Sequence, residues 1–203
     1  PAKEVGGDLY DFFLVDSNKL CFVIGDVSGK GVPASLFMVI TKTLIKNEAQ
    51  RGIAVDEVFN NVNKMLSEQN DECMFVTTFI GILNLDTGEV EFANAGHNPP
   101  LIGNKESGKF EYLTLPKGFV LAGMAGMKYK KGTIQMEEGD ILFMYTDGVT
   151  EAMDINDKLY SDKRLEDKLS EISSDRDVRN IIKTVREDIK LHVGEAEQSD
   201  DIT

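Results

Sequence analysis

Two apolar runs, each followed by an aspartate and a glycine-containing turn, constrain the fold of this chain most. Leu20–Ile24 leads into Gly25-Asp26, and Ile141–Tyr145 leads into Thr146-Asp147-Gly148. Continuous apolar runs of this length, bounded by turn residues, indicate buried strands. A carboxylate at the end of a buried strand is costly unless it is paired or binds a cation. The two runs therefore predict a β core that places an acidic side chain at the end of each strand.

The other periodicities predict further strands and helices around these two runs. The predicted strands are Leu9–Val15, Leu20–Ile24, Met74–Leu85, Glu89–Ala95, Pro100–Ile102, Phe110–Leu115, Tyr129–Met136 and Ile141–Tyr145. The predicted helices run from near Pro33 to near Gly52, along the apolar stripe from Val55 to Leu66, and over Leu165–Ile172 and Val178–Leu191. Hairpins with helices before and after them predict antiparallel sheet covered by helices, an α+β fold.

The composition limits the class of protein. The chain has 203 residues with 35 acidic and 22 basic side chains, a net charge of −13, which opposes binding to nucleic acid or to an anionic membrane surface. It has two cysteines and no apolar run long enough to span a membrane, so a reducing, cytoplasmic location is expected. We expect one domain over residues 1–203, excised from a longer protein that an upstream segment could anchor to a membrane.

Further aspartates flank the two runs in sequence. Asp8 follows a glycine pair, and Asp200-Asp201 stands near the C-terminus. Clusters of oxygen ligands suit Mg²⁺ or Mn²⁺, and the two histidines do not form a zinc motif. Each aspartate alone could equally cap a helix or satisfy a turn, and spacing alone does not bring them together.

Five segments in order carry a resemblance to a known family. They are Glu4-Val5-Gly6-Gly7-Asp8-Leu9-Tyr10-Asp11, Gly25-Asp26-Val27-Ser28-Gly29-Lys30-Gly31, Asn94-Ala95-Gly96-His97-Asn98-Pro99-Pro100, Tyr145-Thr146-Asp147-Gly148-Val149-Thr150-Glu151 and Asp200-Asp201-Ile202-Thr203. Together they resemble the SpoIIE family, the bacterial RsbU-like members of the metal-dependent type 2C (PP2C) serine/threonine protein phosphatases. The resemblance implies a β-sandwich of two antiparallel sheets flanked by helices, in α-β-β-α layers.

The resemblance also implies a site with two Mn²⁺ or Mg²⁺ ions. By family analogy Asp26 bridges both ions and Val27 offers its backbone carbonyl. Asp8 completes the shell of one ion, while Asp147 and Asp200 hold the other. Asp11 and Asp201 are second-choice, outer positions. These four aspartates are the implied catalytic residues, through a water or hydroxide bridging the two ions that attacks phosphorus directly.

The sequence departs from the wider superfamily in two places. Eukaryotic members carry an arginine before the first acidic motif, whereas residues 1–8 contain only Lys3. They also have a histidine, a candidate general acid, where this chain has Ser28. Lys30 could contact a phosphate, although a surface lysine is the simpler interpretation. His97 is interpreted as a residue that shapes its loop.

The implied substrate is a phosphoprotein, by family analogy a small STAS-type anti-anti-sigma factor in partner-switching signalling. The resemblance also implies an upstream sensor domain, and the oligomeric state, a homodimer included, stays open. An alternative is a weakly active or inactive PP2C-like module that binds a protein partner. A nucleotide cyclase is disfavoured because Leu9-Tyr10 after Gly6-Gly7-Asp8 does not fit that signature. A cysteine phosphatase is excluded because neither cysteine has an arginine six positions on.

Overall fold

The computed structural model describes residues 5–68, 70–173 and 177–203, so Lys3 and Glu4 lie outside the described residues. The elements in chain order are β1 (Leu9–Asp16), β2 (Lys19–Val27), α1 (Val32–Ala49), α2 (Val55–Ser67), β3 (Val76–Asn84), β4 (Glu89–Ala95), β5 (Leu101–Gly103), β6 (Phe110–Tyr112), β7 (Lys131–Gln135), β8 (Ile141–Phe143), α3 (Asp147–Thr150), α4 (Asp162–Glu171) and α5 (Val178–Val193). The α+β prediction is confirmed.

The chain divides into two compact units. Unit 1 contains the described residues up to Asn98 together with Leu115–Met136. Unit 2 contains Pro99–Thr114 and Glu137–Thr203. Each unit has its own antiparallel sheet and its own cluster of buried apolar residues.

Unit 1 is built on a five-stranded sheet in the order β1-β2-β3-β4-β7. Both predicted hairpins, β1–β2 and β3–β4, are present and antiparallel. Helices α1 and α2 pack against the sheet, and the apolar stripe of α2 is buried as its 3.6-residue spacing predicts. Because β2 and β3 pair along their whole length, Asp26 lies directly opposite Thr77.

Unit 2 is built on a three-stranded sheet in the order β6-β5-β8. Its apolar core includes Leu101, Tyr145, Leu165 and Ile181. Between α4 and α5, Arg164 forms two hydrogen bonds to the Asp188 carboxylate, at 3.0 and 3.1 Å. A charged pair with this bidentate geometry fixes the separation and rotation of two helices.

The second apolar run, Ile141–Tyr145, does not form the buried strand and turn that the sequence predicts. The strand ends at Phe143 rather than Tyr145, its residues are half-buried, and the predicted turn at Asp147 is a short helix, α3. The partner strand β5 has only three residues, so the rest of the run has no strand to pair with. The backbone N–H of Thr146 instead donates to the carbonyl of Thr203 at 3.2 Å.

None of the helices that the structure describes combines the length and apolar character needed to cross a membrane.

Candidate metal centre

In unit 1 the β1–β2 hairpin brings two of the predicted ligands to one end. Asp8 immediately precedes β1, and Asp26 is the penultimate residue of β2. Leu9 pairs with Gly25 in the antiparallel register. Asp8 directly precedes Leu9, and Asp26 directly follows Gly25, so the two aspartates lie at the same end of the hairpin. Both aspartate side chains are half-buried. Burial alternates along β1, and a shift of one residue would expose its buried face, which specifies this register.

Gly7 shows how closely the N-terminal segment approaches the end of β2. A methyl group on Gly7 would lie 3.0 Å from the Val27 carbonyl oxygen and 3.4 Å from Oδ1 of Asp26. The absence of a side chain at Gly7 thus leaves room for two oxygens that metals of the Mg²⁺ class prefer. The segment before β1, the Asp26 carboxylate and the Val27 carbonyl lie together within unit 1.

Ser28 has a structural task in the loop after β2. Its backbone N–H donates to the carbonyl of Phe75 at 2.9 Å, and its Oγ accepts from the N–H of Phe75 at 2.9 Å. This reciprocal pair extends the contact between β2 and β3 beyond Val27. The Ser28 hydroxyl therefore holds the loop after β2 in place.

In unit 2 the two other predicted ligands lie in one region. Asp147 begins α3, and the residue before it, Thr146, forms two hydrogen bonds with Thr203, at 3.2 and 3.1 Å. A methyl group on Gly148 would overlap the carbonyl oxygen of Asp201. The Asp147-Gly148 turn is thus packed directly on the backbone that carries Asp200.

Glu151 is an acidic neighbour for which the sequence analysis assigned no role. Burial raises the pKa of its carboxyl group, and the negative charges of Asp147 and Asp200 raise it further. The sequence signal was the four-residue spacing between Asp147 and Glu151, which places both side chains on one side of a helical turn. Unit 2 therefore concentrates three carboxyl groups in one place.

The second-choice positions have other surroundings. The Asp11 carboxylate lies 3.8 Å from Nζ of Lys42 and 3.9 Å from Nζ of Lys46, both on α1. Asp201 is buried, and its backbone carbonyl packs against Gly148. Lys30 is exposed in the loop before α1. These contacts favour Asp8 and Asp26 over Asp11 in unit 1.

The donor set has the chemistry of a site for a hard divalent cation. Its members are carboxylate oxygens and one backbone carbonyl, with no sulfur or imidazole among the predicted ligands. Across the part of the chain that the structure describes, no group of three or more His, Cys, Asp and Glu side chains could hold a metal ion as arranged.

Known proteins resemble this chain both in sequence and in structure. The family model for stage II sporulation protein E (SpoIIE) matches residues 16–203. The phosphoserine phosphatase RsbU of Bacillus subtilis is 34% identical over 151 residues, which are 74% of this chain and 44% of that protein. The chain spans less than half the length of the curated relatives it matches.

Two solved structures share the fold. The PP2C phosphatase domain of SpoIIE from Bacillus subtilis, solved with a fragment of its regulatory domain, superposes with a TM-score of 0.84 at 20% identity. It covers 98% of this chain and 57% of that one. RsbX in complex with magnesium superposes with a TM-score of 0.70 at 20% identity, covering 98% and 83% of the two chains.

The fold is that of the PP2C phosphatase domains, and the relatives in sequence include a phosphoserine phosphatase. Within that class, the chain belongs to the SpoIIE family. The matched range includes Asp26, Asp147 and Asp200, whereas Asp8 precedes it.

Proposed function

We propose that this chain is a phosphoserine/phosphothreonine protein phosphatase domain that uses two Mn²⁺ or Mg²⁺ ions. The proposed ligands are the carboxylates of Asp8, Asp26, Asp147 and Asp200 and the carbonyl of Val27. The observation that carries the proposal is the close approach of Gly7 to the Val27 carbonyl oxygen and to Oδ1 of Asp26, two oxygens of the kind that Mg²⁺ and Mn²⁺ prefer. The magnesium complex of RsbX, a protein of the same fold, supports the choice of a hard divalent ion.

The proposed ligands differ in role. Asp26 would hold both ions, with Asp8 and the Val27 carbonyl at the same end of unit 1. Asp147 and Asp200 would hold the second ion. Glu151 stays outside the proposed ligand set and adds negative charge beside Asp147 and Asp200.

When bound, the two cations supply an activated water for direct attack on phosphorus and offset the charge on the phosphoryl oxygens. A covalent route through cysteine is disfavoured by the chain's own residues. Burial, together with the charge of Asp11, raises the pKa of Cys21 to about 12, so its thiol stays protonated. Cys73 is exposed, but it has no arginine six positions on.

The proposed substrate is a phosphorylated protein, by family analogy a STAS-type anti-anti-sigma factor in bacterial partner-switching signalling. The net charge of −13 favours a protein over a nucleic acid as the partner. We further propose that the domain works in the cytoplasm under an upstream sensor domain, and that residues 1–203 form a single phosphatase domain that can pair as a homodimer. The named phosphoserine phosphatase among the relatives supports the reaction type.

One assay tests the reaction. Phosphate release from a phosphoserine-containing STAS-domain protein is measured with Mn²⁺, with Mg²⁺ and with EDTA, for wild type and for Asp26→Asn. We expect activity that needs a divalent ion and that Asp26→Asn abolishes. The matched control is Asp86→Asn, which changes an exposed aspartate in the β3–β4 turn.

Two outcomes would contradict the proposal. Activity that persists in EDTA, or an undiminished Asp26→Asn variant, would exclude the two-metal site. A folded wild type that binds the substrate protein without releasing phosphate under either metal would favour the alternative of a binding module.

A further inference from the structure

Thr77 on β3 lies opposite Asp26 and is close to two groups of different type. Its Oγ1 is 3.5 Å from the backbone carbonyl oxygen of Asp26 and 3.0 Å from Nδ1 of His97. The β2–β3 register fixes the position of Thr77, because Asp26 and Thr77 are paired residues. One hydroxyl therefore connects His97 to the residue proposed to bridge both metal ions.

The hydrogen-bonding capacity of a threonine hydroxyl determines the direction of this connection. The hydroxyl has a single proton, and the Asp26 carbonyl can only accept. If Thr77 donates to that carbonyl, its oxygen must accept from His97. The proton of the neutral imidazole then lies on Nδ1, an assignment made from the hydrogen-bond pattern.

The loop that carries His97 is itself held firmly. His97 is 5% exposed, and Nδ2 of Asn94 donates to the His97 carbonyl at 3.2 Å. Gly96 has a φ of +70°, and a side chain there would meet Cγ1 of Val120 at 3.0 Å. The imidazole is therefore presented to Thr77 from a rigid support, as a positioning interaction requires.

We propose that His97 is a positioning residue for Asp26, acting through the hydroxyl of Thr77. The proposal rests on the proposed function, because it concerns how firmly Asp26 is held for metal binding. Partners behind a metal ligand fix its orientation, and their loss typically weakens metal affinity by about 10–100-fold. The sequence-based interpretation of His97 as a loop-shaping residue is thereby extended to a role in the site.

The experiment measures Mn²⁺ affinity of the full chain by electron paramagnetic resonance of free Mn²⁺, without a turnover assay. We expect Thr77→Val and His97→Leu each to weaken binding about 10-fold or more. The double variant should bind Mn²⁺ as well as the single variant with the lower affinity does, because both changes break the same connection. Thr77→Ser retains the hydroxyl and His97→Asn retains a donor near Nδ1, so both should bind nearly as wild type does.

Thr78→Val is the matched control. Thr78 neighbours Thr77, and its Oγ1 donates to the Ile24 carbonyl on β2 at 2.8 Å, away from the proposed ligands. Its removal should lower the melting temperature and leave Mn²⁺ affinity unchanged. A drop in Mn²⁺ affinity for Thr78→Val equal to that for Thr77→Val would overturn the inference, because a general loosening of β3 would then explain both.

Other results separate this inference from the function it rests on. If Asp26→Asn abolishes Mn²⁺ binding, two results would overturn the role of His97 and leave the proposed metal site intact. One is wild-type Mn²⁺ affinity in both Thr77→Val and His97→Leu. The other is a fully additive loss of affinity in the double variant. Undiminished binding by Asp26→Asn would instead overturn the proposed metal site, and this inference with it.

Discussion

The two units supply carboxylates of the same chemistry from supports of different construction. In unit 1, Asp26 belongs to a strand of a five-stranded sheet, and its neighbours are set by strand register. In unit 2, Asp147 begins a four-residue helix whose position depends on packing against the C-terminal residues. We therefore expect an aspartate in the sheet to tolerate local change better than one at the start of a single-turn helix.

The glycines at the two ends show the same difference. Gly7 approaches the Val27 carbonyl at a distance that a small adjustment could relieve, whereas Gly148 lies against a backbone carbonyl that a methyl group would overlap. Because interiors are close-packed, the second position has no room for any side chain. The comparison between the units can be tested by changing matched residues in each.

The largest expected effect follows from the proposed bridging role of Asp26. Asp26→Asn should lower phosphatase activity on the order of 1,000-fold, more than the 10–100-fold typical of partners behind a ligand. Asp147→Asn should remove one of two bound Mn²⁺ ions, and Asp26→Asn should remove both. Equilibrium dialysis with Mn²⁺ gives the stoichiometry, and equal stoichiometry for the two variants would contradict the assigned roles.

Of the two variants Gly148→Ala and Gly7→Ala, Gly148→Ala should lower the stability of the fold more. The overlap with the Asp201 carbonyl forces the turn and the C-terminal segment apart, at a cost of about 3 kcal/mol. Gly7→Ala should change the free energy of unfolding by less than about 1 kcal/mol. The close contact of the new methyl group destabilises the fold, but alanine also lowers the conformational entropy of the unfolded chain, which offsets that cost. Urea unfolding measures both, and a larger loss for Gly7→Ala would reverse the comparison.

Gly7→Ala should nevertheless weaken Mn²⁺ binding, because the new methyl group presses on the Val27 carbonyl and on Oδ1 of Asp26. Titration with Mn²⁺ tests this. Gly52→Ala is the control for general destabilisation, since its φ of +71° strains an alanine whose methyl group would meet no neighbouring atom.

A smaller effect is expected at the hydroxyl that ties unit 2 to its C-terminal residues. Thr146→Val removes the acceptor for the Thr203 N–H, a hydrogen bond of 3.1 Å, at a cost of about 1 kcal/mol. Amide hydrogen exchange at Thr203 should accelerate, while exchange in β2 and β3 should stay as in wild type. Unchanged exchange at Thr203 would show that this bond does not hold the segment.

The smallest effect concerns pH and the pair between α4 and α5. Hydrogen bonds from Arg164 lower the pKa of Asp188 below its usual value, so the pair stabilises the fold above about pH 4. This stability is lost as the pH falls through the lowered pKa of the folded state. Asp188→Asn should cost less than about 1 kcal/mol at pH 7, because the Arg164 side chain is 41% exposed.

Thermal unfolding between pH 7 and pH 2 checks this prediction. The difference between wild type and Asp188→Asn should shrink below pH 4. The exposed pair of Lys183 and Glu187 is the control, and Glu187→Gln should have no measurable effect at any pH. A difference that grows on acidification would contradict the assigned direction of the pKa change.

Much of unit 1 could be predicted because its determinants are local. The alternation in β1 and the apolar run of β2 defined a hairpin, and the 3.6-residue stripe of α2 defined a buried helix face. The end of β8 could not be predicted in the same way. Its length depends on β5, a three-residue strand about forty positions away in sequence.

Some residues of the candidate site could likewise be predicted from the sequence, and others could not. The five ordered segments identified the aspartates and the family, while Glu151 and the partner of Ser28 emerged only from the structure. The resemblance already ranked Asp11 behind Asp8, and the structure adds that the Asp11 carboxylate lies beside Lys42 and Lys46. The sequence pattern shows which residue types are present, and the packing of the folded chain determines which of them are in contact.

By itself the sequence determined the α+β class, the hairpins of unit 1 and the family, and it predicted the oxygen-only donor set. Strand periodicity and the order of motifs are properties of neighbouring residues, so they can be read without a fold. Only the tertiary structure decided that Asp147 begins a helix, that Gly148 packs on Asp201 and that Thr77 connects His97 to Asp26. These contacts join residues distant in sequence, and close packing, which no local pattern encodes, selects them.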